Sequence, residues 1–253
     1  MKISIITVSF NSVNTIEDTL MSVLSQDYNK IEYIIVDGGS NDGTLDIVEK
    51  YKSKIAHIIS EPDKGIYDAM NKGISIASGD IIGILNSDDI YPEKETISSV
   101  VLQFKKTKCQ SIYGDLQYVN AKNINKVFRY WQANPYNKSN FKFGWMPPHP
   151  TFFVLKSVYD LFGTFNLNLS SAGDYEIMFR FLYKHEISVQ YLPKVLVKMR
   201  VGGQSNESIR HRLLANKEDV MAWRINGYQM PFYTRILKPL LKLPQFFKKA
   251  PRI

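Results

Sequence analysis

The sequence predicts an α/β protein built on a doubly wound sheet, and three observations support this. Residues 3–9 (ISIITVS) form a near-continuous β-branched run, typical of a strand buried on both faces. Strand and helix patterns then alternate as far as residue 86, which predicts right-handed crossovers between parallel strands. Several acids stand just after the predicted strands, at the sheet edge where ligands bind in such folds.

The elements of the first half follow in order from their patterns. After the first strand, apolar residues at 16, 20, 23 and 24 have helical spacing and predict the first helix. Residues 31–37, 56–60 and 80–86 are predicted as the next three strands, with helices over 44–51 and 65–77 between them.

Beyond about residue 110 the alternation is less regular. Strands are predicted over 111–119, 125–132 and 149–156, an amphipathic helix over 174–185 and an extended stretch over 191–200. No long linker, internal repeat or low-complexity tract interrupts the chain. We therefore predict one domain over residues 1–219, with halves 1–109 and 110–219, followed by a C-terminal segment of residues 220–253.

The composition indicates a globular protein of a reducing compartment. The 253 residues are 44% hydrophobic, enough for a large core, and Cys109 is the only cysteine. A disulfide framework is therefore excluded, and the cytosol is the expected location. The apolar run at residues 3–9 is too short to span a membrane and no cleavage site follows it, so no signal peptide is predicted.

The positive charge is concentrated in the C-terminal segment. The net charge is +8, and seven Lys and Arg residues follow Asp219, after which no acid occurs. The other 25 basic residues nearly balance the 24 acids. A nucleic-acid binder is disfavoured, because the body is near neutral and lacks interleaved basic and aromatic surfaces.

The glycine-rich segment VDGGSNDGT (36–44) follows the second strand and predicts a ligand loop or a simple turn. Its glycines do not form GxGxxG, and it lacks the spacing of a calcium loop. GxxxxGK[ST] and GxSxG motifs are also missing from the sequence. The four histidines are scattered and unpaired with cysteine, which disfavours structural zinc.

Four segments together resemble glycosyltransferase family 2, whose nucleotide-sugar domain has the GT-A fold. These are SIITVSFN, IIVDGGSNDGT, EPDKGIYDAMNKGI and LNSDD, the last in place of the DXD-type motif. Their order and spacing match over residues 1 to about 95. Further along, YGD, PPHPTFF and GDYEIMFR resemble the acceptor half of bacterial surface-polysaccharide members.

The resemblance implies a set of residues for the nucleotide-sugar donor. Asp37 would accept a hydrogen bond from a uracil ring, a sensible task for a group that can only accept. Asp63 would lie beside the base or ribose. Lys64 and Lys72 would reach the diphosphate, with a solvated helix face as the alternative. The implied donor-binding residues are Thr7, Ser9, Asn11, Asp37, Asp63, Lys64, Lys72 and Asp88.

The adjacent acids Asp88 and Asp89 are the implied metal site. Neighbouring carboxylates repel one another, and their desolvation is costly unless a nearby cation compensates their charge. In the family the last acid of such a pair holds Mg²⁺ or Mn²⁺, which bridges the two phosphates. Hard divalent ions take oxygen ligands and often keep few from the protein. Ser87 replaces a further acid that many members have.

Asp174 is the implied general base on the acceptor side. Helical spacing behind it places it at a helix start, where an acid is also common for helix-dipole reasons alone. Many members carry Glu-Asp here, whereas this chain has Gly173 before the aspartate. Asp115 and His149 are further acceptor-side candidates, with a packed loop histidine as the alternative for His149.

These features predict an inverting, metal-dependent glycosyltransferase that uses a nucleoside diphosphate sugar, with UDP expected. The implied acceptor is a hydroxyl of a glycan, including a lipid-linked one in surface polysaccharide assembly. The alternative is a non-catalytic nucleotide-sugar or polysaccharide-binding module of the same fold. We expect peripheral association with the inner face of the cell membrane.

The C-terminal segment is the predicted contact with an anionic membrane. Ile236, Leu240, Leu243 and Phe247 fall near one helical face, and Lys238, Lys242 and Lys249 flank them. Pro239 and Pro244 predict a segment in two pieces. A helix covering the core of the domain is the alternative.

Overall fold

The computed structural model describes residues 1–202, 209–248 and 251. Its first half alternates strands and helices in the predicted order: β1 (Ile3–Ser9), α1 (Ile16–Leu24), β2 (Ile31–Asp37), α2 (Thr44–Lys50), β3 (His57–Ser60), α3 (Ile66–Ile76) and β4 (Ile81–Ile84). The first two strands match their predicted bounds to the residue, because a β-branched run buried on both faces is a strong strand pattern.

The second half has shorter and more varied elements: β5 (Asp89–Ile90), α4 (Thr96–Thr107), β6 (Ser111–Val119), β7 (Val127–Trp131), β8 (Phe153–Leu155), α5 (Lys156–Phe162), α6 (Gly173–Met178), β9 (Val189–Arg200), α7 (Ile209–Ile225) and α8 (Thr234–Leu240). A π-helical turn, Phe179–Lys184, continues α6, and 3₁₀ turns lie at Lys138–Phe143, His149–Thr151 and Leu243–Phe246. The prediction omitted β5, α4, α5 and α7.

All nine strands of the described residues belong to one mixed sheet, in the order β3-β2-β1-β4-β8-β6-β9-β5, with β7 beside β6. Strands β3, β2, β1 and β4 are parallel, and the antiparallel β8 joins β4 to β6. The β4–β8 junction makes the two predicted halves parts of one sheet.

The core lies on both faces of this sheet. Along β1, Ile3 and Ile5 pack with α1 and α4 on one face, whereas Ile6 and Val8 pack with α3 and α6 on the other. Since successive side chains of a strand point to opposite faces, a strand covered on both sides needs apolar residues throughout. This accounts for the run at residues 3–9.

The C-terminal segment packs on the domain, with Pro239 inside α8 one residue before its end and Pro244 in the separate 3₁₀ turn that follows. Helix α7 crosses the predicted boundary at residue 219, and Trp223 Nε1 donates to the Tyr175 hydroxyl of α6 at 2.8 Å. Helix α8 and the turn Leu243–Phe246 follow it. Of the lysines expected to flank the apolar face, Lys249 lies outside the described residues.

Candidate active site

The carboxyl ends of the parallel strands bring the predicted acids to one edge of the sheet. Ser9 and Asp37 end β1 and β2 in direct register. Asp63 follows β3, and the Asp88–Asp89 pair follows β4. Loops gather at this edge of a doubly wound sheet, which makes it the expected place for a ligand.

Asp37 is fully buried and organises the loops behind the edge. Its carboxylate accepts from the hydroxyls of Ser9 (2.9 Å), Ser40 (2.5 Å) and Ser60 (3.1 Å), and from the backbone N–H of Gly39 (3.0 Å) and Ser40 (2.8 Å). A carboxylate offers about four lone-pair sites. The predicted hydrogen bond from a uracil ring therefore has no free acceptor site at Asp37 in this arrangement.

Thr7 and Asn11 also support the edge from within. Thr7 is fully buried, with its hydroxyl 3.1 Å from that of Tyr33, so it lies beneath the site surface. Asn11 has a left-handed backbone (φ +49°). Its N–H donates to the Ser40 hydroxyl at 2.8 Å, and its Oδ1 accepts from Asn41 N–H at 3.1 Å. Asn11 thus joins the loop after β1 to the loop after β2.

Phe10, Gly38 and Asp63 form an open floor beside these loops. A Cβ on Gly38 would stand 2.6 Å from an Asp63 carboxylate oxygen and 3.3 Å from the Phe10 ring, so only glycine leaves room here. Phe10 is 55% exposed, which is notable for a phenyl ring at the end of a buried strand. An aromatic face next to a carboxylate acceptor suits a planar base that carries an N–H. Phe10 lies in the SIITVSFN segment, for which only Thr7, Ser9 and Asn11 were predicted to contact the donor.

The two predicted lysines of this region differ in what they contact. Lys72 Nζ lies 2.8 Å from Glu61 and 3.6 Å from Asp68, so its charge is compensated within the protein, and its contact with the donor stays a prediction. Lys64 has an exposed side chain, and its backbone N–H donates to Asp68 at 3.0 Å. Only Lys64 keeps its side chain available at the surface.

Asp89 is buried without a partner. It is fully buried, and within the described residues neither carboxylate oxygen has a hydrogen-bond partner. Burial raises the pKa of Asp89 well above its ordinary value, and the charge of Asp88 raises it further, against the opposing effects of the Arg200 backbone and charge. Burial likewise raises the pKa of the half-buried Asp88. An unanswered buried carboxylate is costly, so this one calls for a cation.

Arg200 holds the backbone of this acidic pair and was not foreseen. Its guanidinium donates to the Asp88 carbonyl at 2.8 Å and the Ala121 carbonyl at 3.2 Å, and it pairs with the Asp18 carboxylate. The side chain is almost fully buried at the end of β9. Its separation from Asp88 along the chain left no sequence signal for the contact.

A single unpartnered carboxylate fits a divalent ion that takes its other ligands from substrate and water. No group of three or more His, Cys, Asp or Glu residues is arranged to hold a metal in the part of the chain that the structure describes. The orphaned oxygens of Asp89 therefore agree with the sparse Mg²⁺ or Mn²⁺ site expected from the sequence.

Asp174 lies in the first turn of α6, with its carboxylate beside the Tyr67 hydroxyl of α3. Its Oδ1 accepts from Tyr175 N–H at 2.8 Å and from the Tyr67 hydroxyl at a long 3.4 Å. A Cβ on Gly173 would meet the Tyr67 ring at 2.7 Å. The tyrosine ring thus occupies the space of a larger side chain, which accounts for glycine before the aspartate in this chain.

His149 lies close to Asp174, whereas Asp115 does not belong to the open site. Burial lowers the pKa of His149, and the nearby Asp174 charge opposes this. Asp115 is buried and accepts from the Tyr130 hydroxyl, from the Tyr191 hydroxyl at 2.8 Å and from Ala133 N–H at 2.8 Å. These three bonds make Asp115 a brace between β6, β9 and the chain after β7, which corrects its predicted acceptor role.

Tyr118 of β6 lies within reach of the charges of both Asp89 and Asp174. Burial raises the pKa of this phenol, and the charges of both Asp89 and Asp174 raise it further, against the opposing charge of Arg129. Both carboxylates therefore lie within electrostatic reach of one hydroxyl. Asp89 and Tyr118 both pair with Met199 of β9 and so share one face of the sheet. We call the region around Tyr118, between the two acids, the cleft.

Comparison with known sequences shows that this chain is similar to glycosyltransferases. A family model described as Glycosyl transferase family 2 matches residues 4–160. An uncharacterized glycosyltransferase of Mycobacterium tuberculosis is 31% identical over 181 residues, which cover 70% of this chain and 68% of that protein. A PGL/p-HBAD biosynthesis glycosyltransferase of Mycobacterium bovis is 27% identical over 216 residues, covering 83% and 82% of the two chains.

Solved structures share the fold. TarS 1–349 from S. aureus, in complex with UDP-GlcNAc, superposes with a TM-score of 0.71 at 21% identity, over 89% of this chain and 65% of that one. The mannosyltransferase PcManGT from Pyrobaculum calidifontis, in complex with GDP-Man and Mn²⁺, gives 0.64 at 18% identity, over 95% and 69%. The predicted GT-A fold is confirmed, and the chain spans about two thirds of either structure.

Proposed function

Because the chain belongs to glycosyl transferase family 2, we propose that it transfers a sugar from a nucleoside diphosphate to a glycan hydroxyl with inversion. One observation carries the proposal: Asp89, buried and unpartnered, and Tyr118 both pair with Met199 of β9, and the helix-start acid Asp174 also lies near enough to raise the pKa of the Tyr118 hydroxyl. Metal-bound phosphates and an attacking hydroxyl need two such acids on one cleft.

We infer UDP as the nucleotide. The Phe10 ring and the Asp63 carboxylate present a stacking face and an acceptor side by side, which suits the imide N–H of uracil. The fold is shared with a TarS complex holding UDP-GlcNAc and with a PcManGT complex holding GDP-Man. Guanine also carries an N–H beside its carbonyl, so both nucleotides belong in the test.

In the proposed reaction Asp174 acts as general base. The acceptor oxygen attacks the anomeric carbon while its proton passes to the Asp174 carboxylate, and the bond from that carbon to the phosphate oxygen breaks. The nucleoside diphosphate leaves with the bonding electron pair. A single displacement of this kind inverts the anomeric configuration.

The Asp89 carboxylate, with Asp88 beside it, would hold the divalent ion. Bound there, Mg²⁺ or Mn²⁺ would stabilise negative charge on the departing diphosphate. Arg200 keeps the Asp88 backbone in place from behind. His149 lies half-buried near Asp174, where burial lowers its pKa and so weakens it as a base, while the Asp174 charge opposes this shift. We keep it as an acceptor-side neighbour of Asp174.

We further propose that the enzyme works at the inner membrane surface on a lipid-linked glycan. No described helix is long and apolar enough to span a bilayer. The C-terminal segment instead exposes large apolar side chains at its surface: Phe232 (83%), Ile236 (62%), Leu240 (51%), Leu243 (53%) and Phe247 (86%). An exposed apolar patch of this kind suits a membrane interface.

Of the lysines expected to flank this patch, Lys238 does not serve the membrane. Its Nζ lies 2.5 Å from the Asp219 carboxylate and 4.2 Å from the centre of the Tyr175 ring. The apolar side chains therefore supply most of the proposed membrane contact, which lowers its expected sensitivity to salt.

Turnover measurements on a panel of UDP-, GDP- and dTDP-linked sugars test the proposal. With Mn²⁺ and a short glycan acceptor, we expect transfer from a UDP-sugar, and proton NMR of the product should show β linkage from an α-linked donor. Retention of configuration contradicts the single displacement. Binding of the nucleotide without transfer to any glycan favours the non-catalytic module.

A further inference from the structure

Two cations without carboxylate partners lie at the cleft, one on β7 and one on the C-terminal segment. Arg129 is directly opposite Tyr118 in the β6–β7 pair, and its guanidinium stacks 3.6 Å from the centre of the Tyr118 ring. Its Nε is buried and has no hydrogen-bond partner among the described residues. A buried donor of this kind is normally satisfied.

The second cation is Lys242, which follows α8. Desolvation lowers the pKa of Lys242, as do the charges of Lys238 and Arg129, while Asp219 and Asp174 oppose them. The residue nevertheless remains exposed to solvent. Lys242 directly precedes the turn Leu243–Phe246, whose Phe246 ring lies against the Arg129 guanidinium, so the two cations lie near each other while Lys242 stays open to a ligand.

The two cations contrast with the other basic groups around the site. Lys238 pairs with Asp219 at 2.5 Å and Lys72 pairs with Glu61 at 2.8 Å. Arg129 and Lys242 have no carboxylate within 4.0 Å in the described part of the chain. Their charges are therefore free to answer an anion.

The C-terminal segment is fastened where it carries Lys242 to the cleft. The Thr234 hydroxyl donates to the Lys142 carbonyl, and Lys248 Nζ donates to Gln132 Oε1 at 3.0 Å. Between these anchors the Phe246 ring lies 5.5 Å from the Arg129 guanidinium. The segment thus covers Arg129 and forms one wall of the cleft.

We propose that Arg129 and Lys242 form a subsite for the diphosphate of the donor. The C-terminal segment forms one wall of this subsite. This rests on the proposed function. The cleft already holds the acids Asp88, Asp89 and Asp174, and a divalent ion alone leaves it negative once a diphosphate enters. Two further cations offset most of this negative charge, and arginine suits phosphate through paired N–H donors.

The position of Tyr118 favours the donor over a phosphate of the acceptor. Arg129 stacks on this ring, and Arg129, Tyr118, Met199 and Asp89 stand opposite one another on β7, β6, β9 and β5. Side chains of such a row share one face of the sheet. A diphosphate that shares an ion with Asp89 would therefore lie on the face that carries the guanidinium.

Calorimetry with UDP and with uridine, both in Mn²⁺, tests the subsite. Arg129→Gln and Lys242→Gln should each weaken UDP binding roughly tenfold or more, the usual effect of losing a charged hydrogen bond. Uridine binding should not change, since it lacks the phosphates. Lys242→Arg keeps the charge and should stay near the wild-type affinity. Lys248→Gln, on the same segment but bonded to Gln132, is the matched control.

Each contrary result has a separate meaning. Wild-type protein that binds neither UDP nor GDP contradicts the proposed function and the subsite with it. Wild-type binding of UDP with equal binding by folded Arg129→Gln and Lys242→Gln overturns the subsite alone. Unchanged UDP affinity with a raised KM for a phosphate-bearing acceptor also overturns it, and assigns the cations to the acceptor. Thermal melting of each variant establishes that it is folded.

Discussion

Replacement of Asp89 by asparagine should stabilise the metal-free protein and remove its response to Mn²⁺. The carboxylate is fully buried, and both oxygens lack partners within the described residues. An uncompensated buried charge costs about 3–5 kcal/mol. The amide keeps the shape of the side chain without the charge.

The expected gain is smaller than the whole charge penalty. An unsatisfied buried amide still costs about 1–3 kcal/mol, which leaves a net stabilisation of about 2 kcal/mol. For a domain of this size each kcal/mol moves Tm by about 2–4 °C. Asp89→Asn should therefore melt about 4–8 °C above wild type in EDTA.

Calorimetric melting with EDTA and with saturating Mn²⁺ measures both effects. Wild-type protein should gain stability from the ion by mass action, whereas Asp89→Asn should gain little. Asp115→Asn is the matched control, because it makes the same chemical change in a buried carboxylate that three donors satisfy. It should destabilise the protein by about 3 kcal/mol, since charged hydrogen bonds are lost, and should leave the Mn²⁺ response intact.

Two results would refute this reasoning. A lower Tm for Asp89→Asn in EDTA means that groups of the protein already compensate the charge of this carboxylate. An equal Mn²⁺ shift in wild type and variant means that the ion binds elsewhere.

Three further predictions concern catalysis, pH and the membrane. Asp174→Asn should cut turnover by ~10²–10⁴ with UDP affinity unchanged by calorimetry; normal turnover would leave Asp174 as a helix-start residue only. Burial alone would raise the pKa of Glu32, but bonds from Lys2, Ser4 and Ser78 lower it to about 2 from 4.5. Glu32→Gln should therefore cost about 3 kcal/mol of unfolding free energy at pH 7, a difference that urea titrations should see vanish as pH falls from 4.5 towards 2. Phe232→Ser with Phe247→Ser should reduce sedimentation with anionic liposomes without changing Tm; equal sedimentation would remove the patch from the membrane contact.

Strand prediction succeeded where burial alone decides the pattern. The runs at 3–9 and 31–37 became β1 and β2 to the residue, because a central parallel strand needs apolar side chains on both faces. The two residues of β5 escaped prediction, since they form a strand only by pairing with Lys198 and Met199 of β9. No local pattern of two residues records a partner so far along the chain.

The roles of the acids, like the strands, could be predicted only in part from the sequence. Asp37, Asp89 and Asp115 all follow or lie in strands of the sheet, and by sequence they are equivalent candidates for a site. The structure gives Asp37 and Asp115 a full set of donors and leaves Asp89 with none among the described residues. A carboxylate is structural or reactive according to which donors surround it.

By itself the sequence determined the fold class, the order of the first seven elements, the family and the sheet edge that carries the acids. These depend on local periodicity and on short motifs, which are written in consecutive residues. Only the tertiary structure decided which acids are free, that Arg200 supports the Asp88 backbone, and that the C-terminal segment packs over Arg129. Charges act through distance in space, and the chain brings these residues together only when the sheet, β7 and the C-terminal segment have packed.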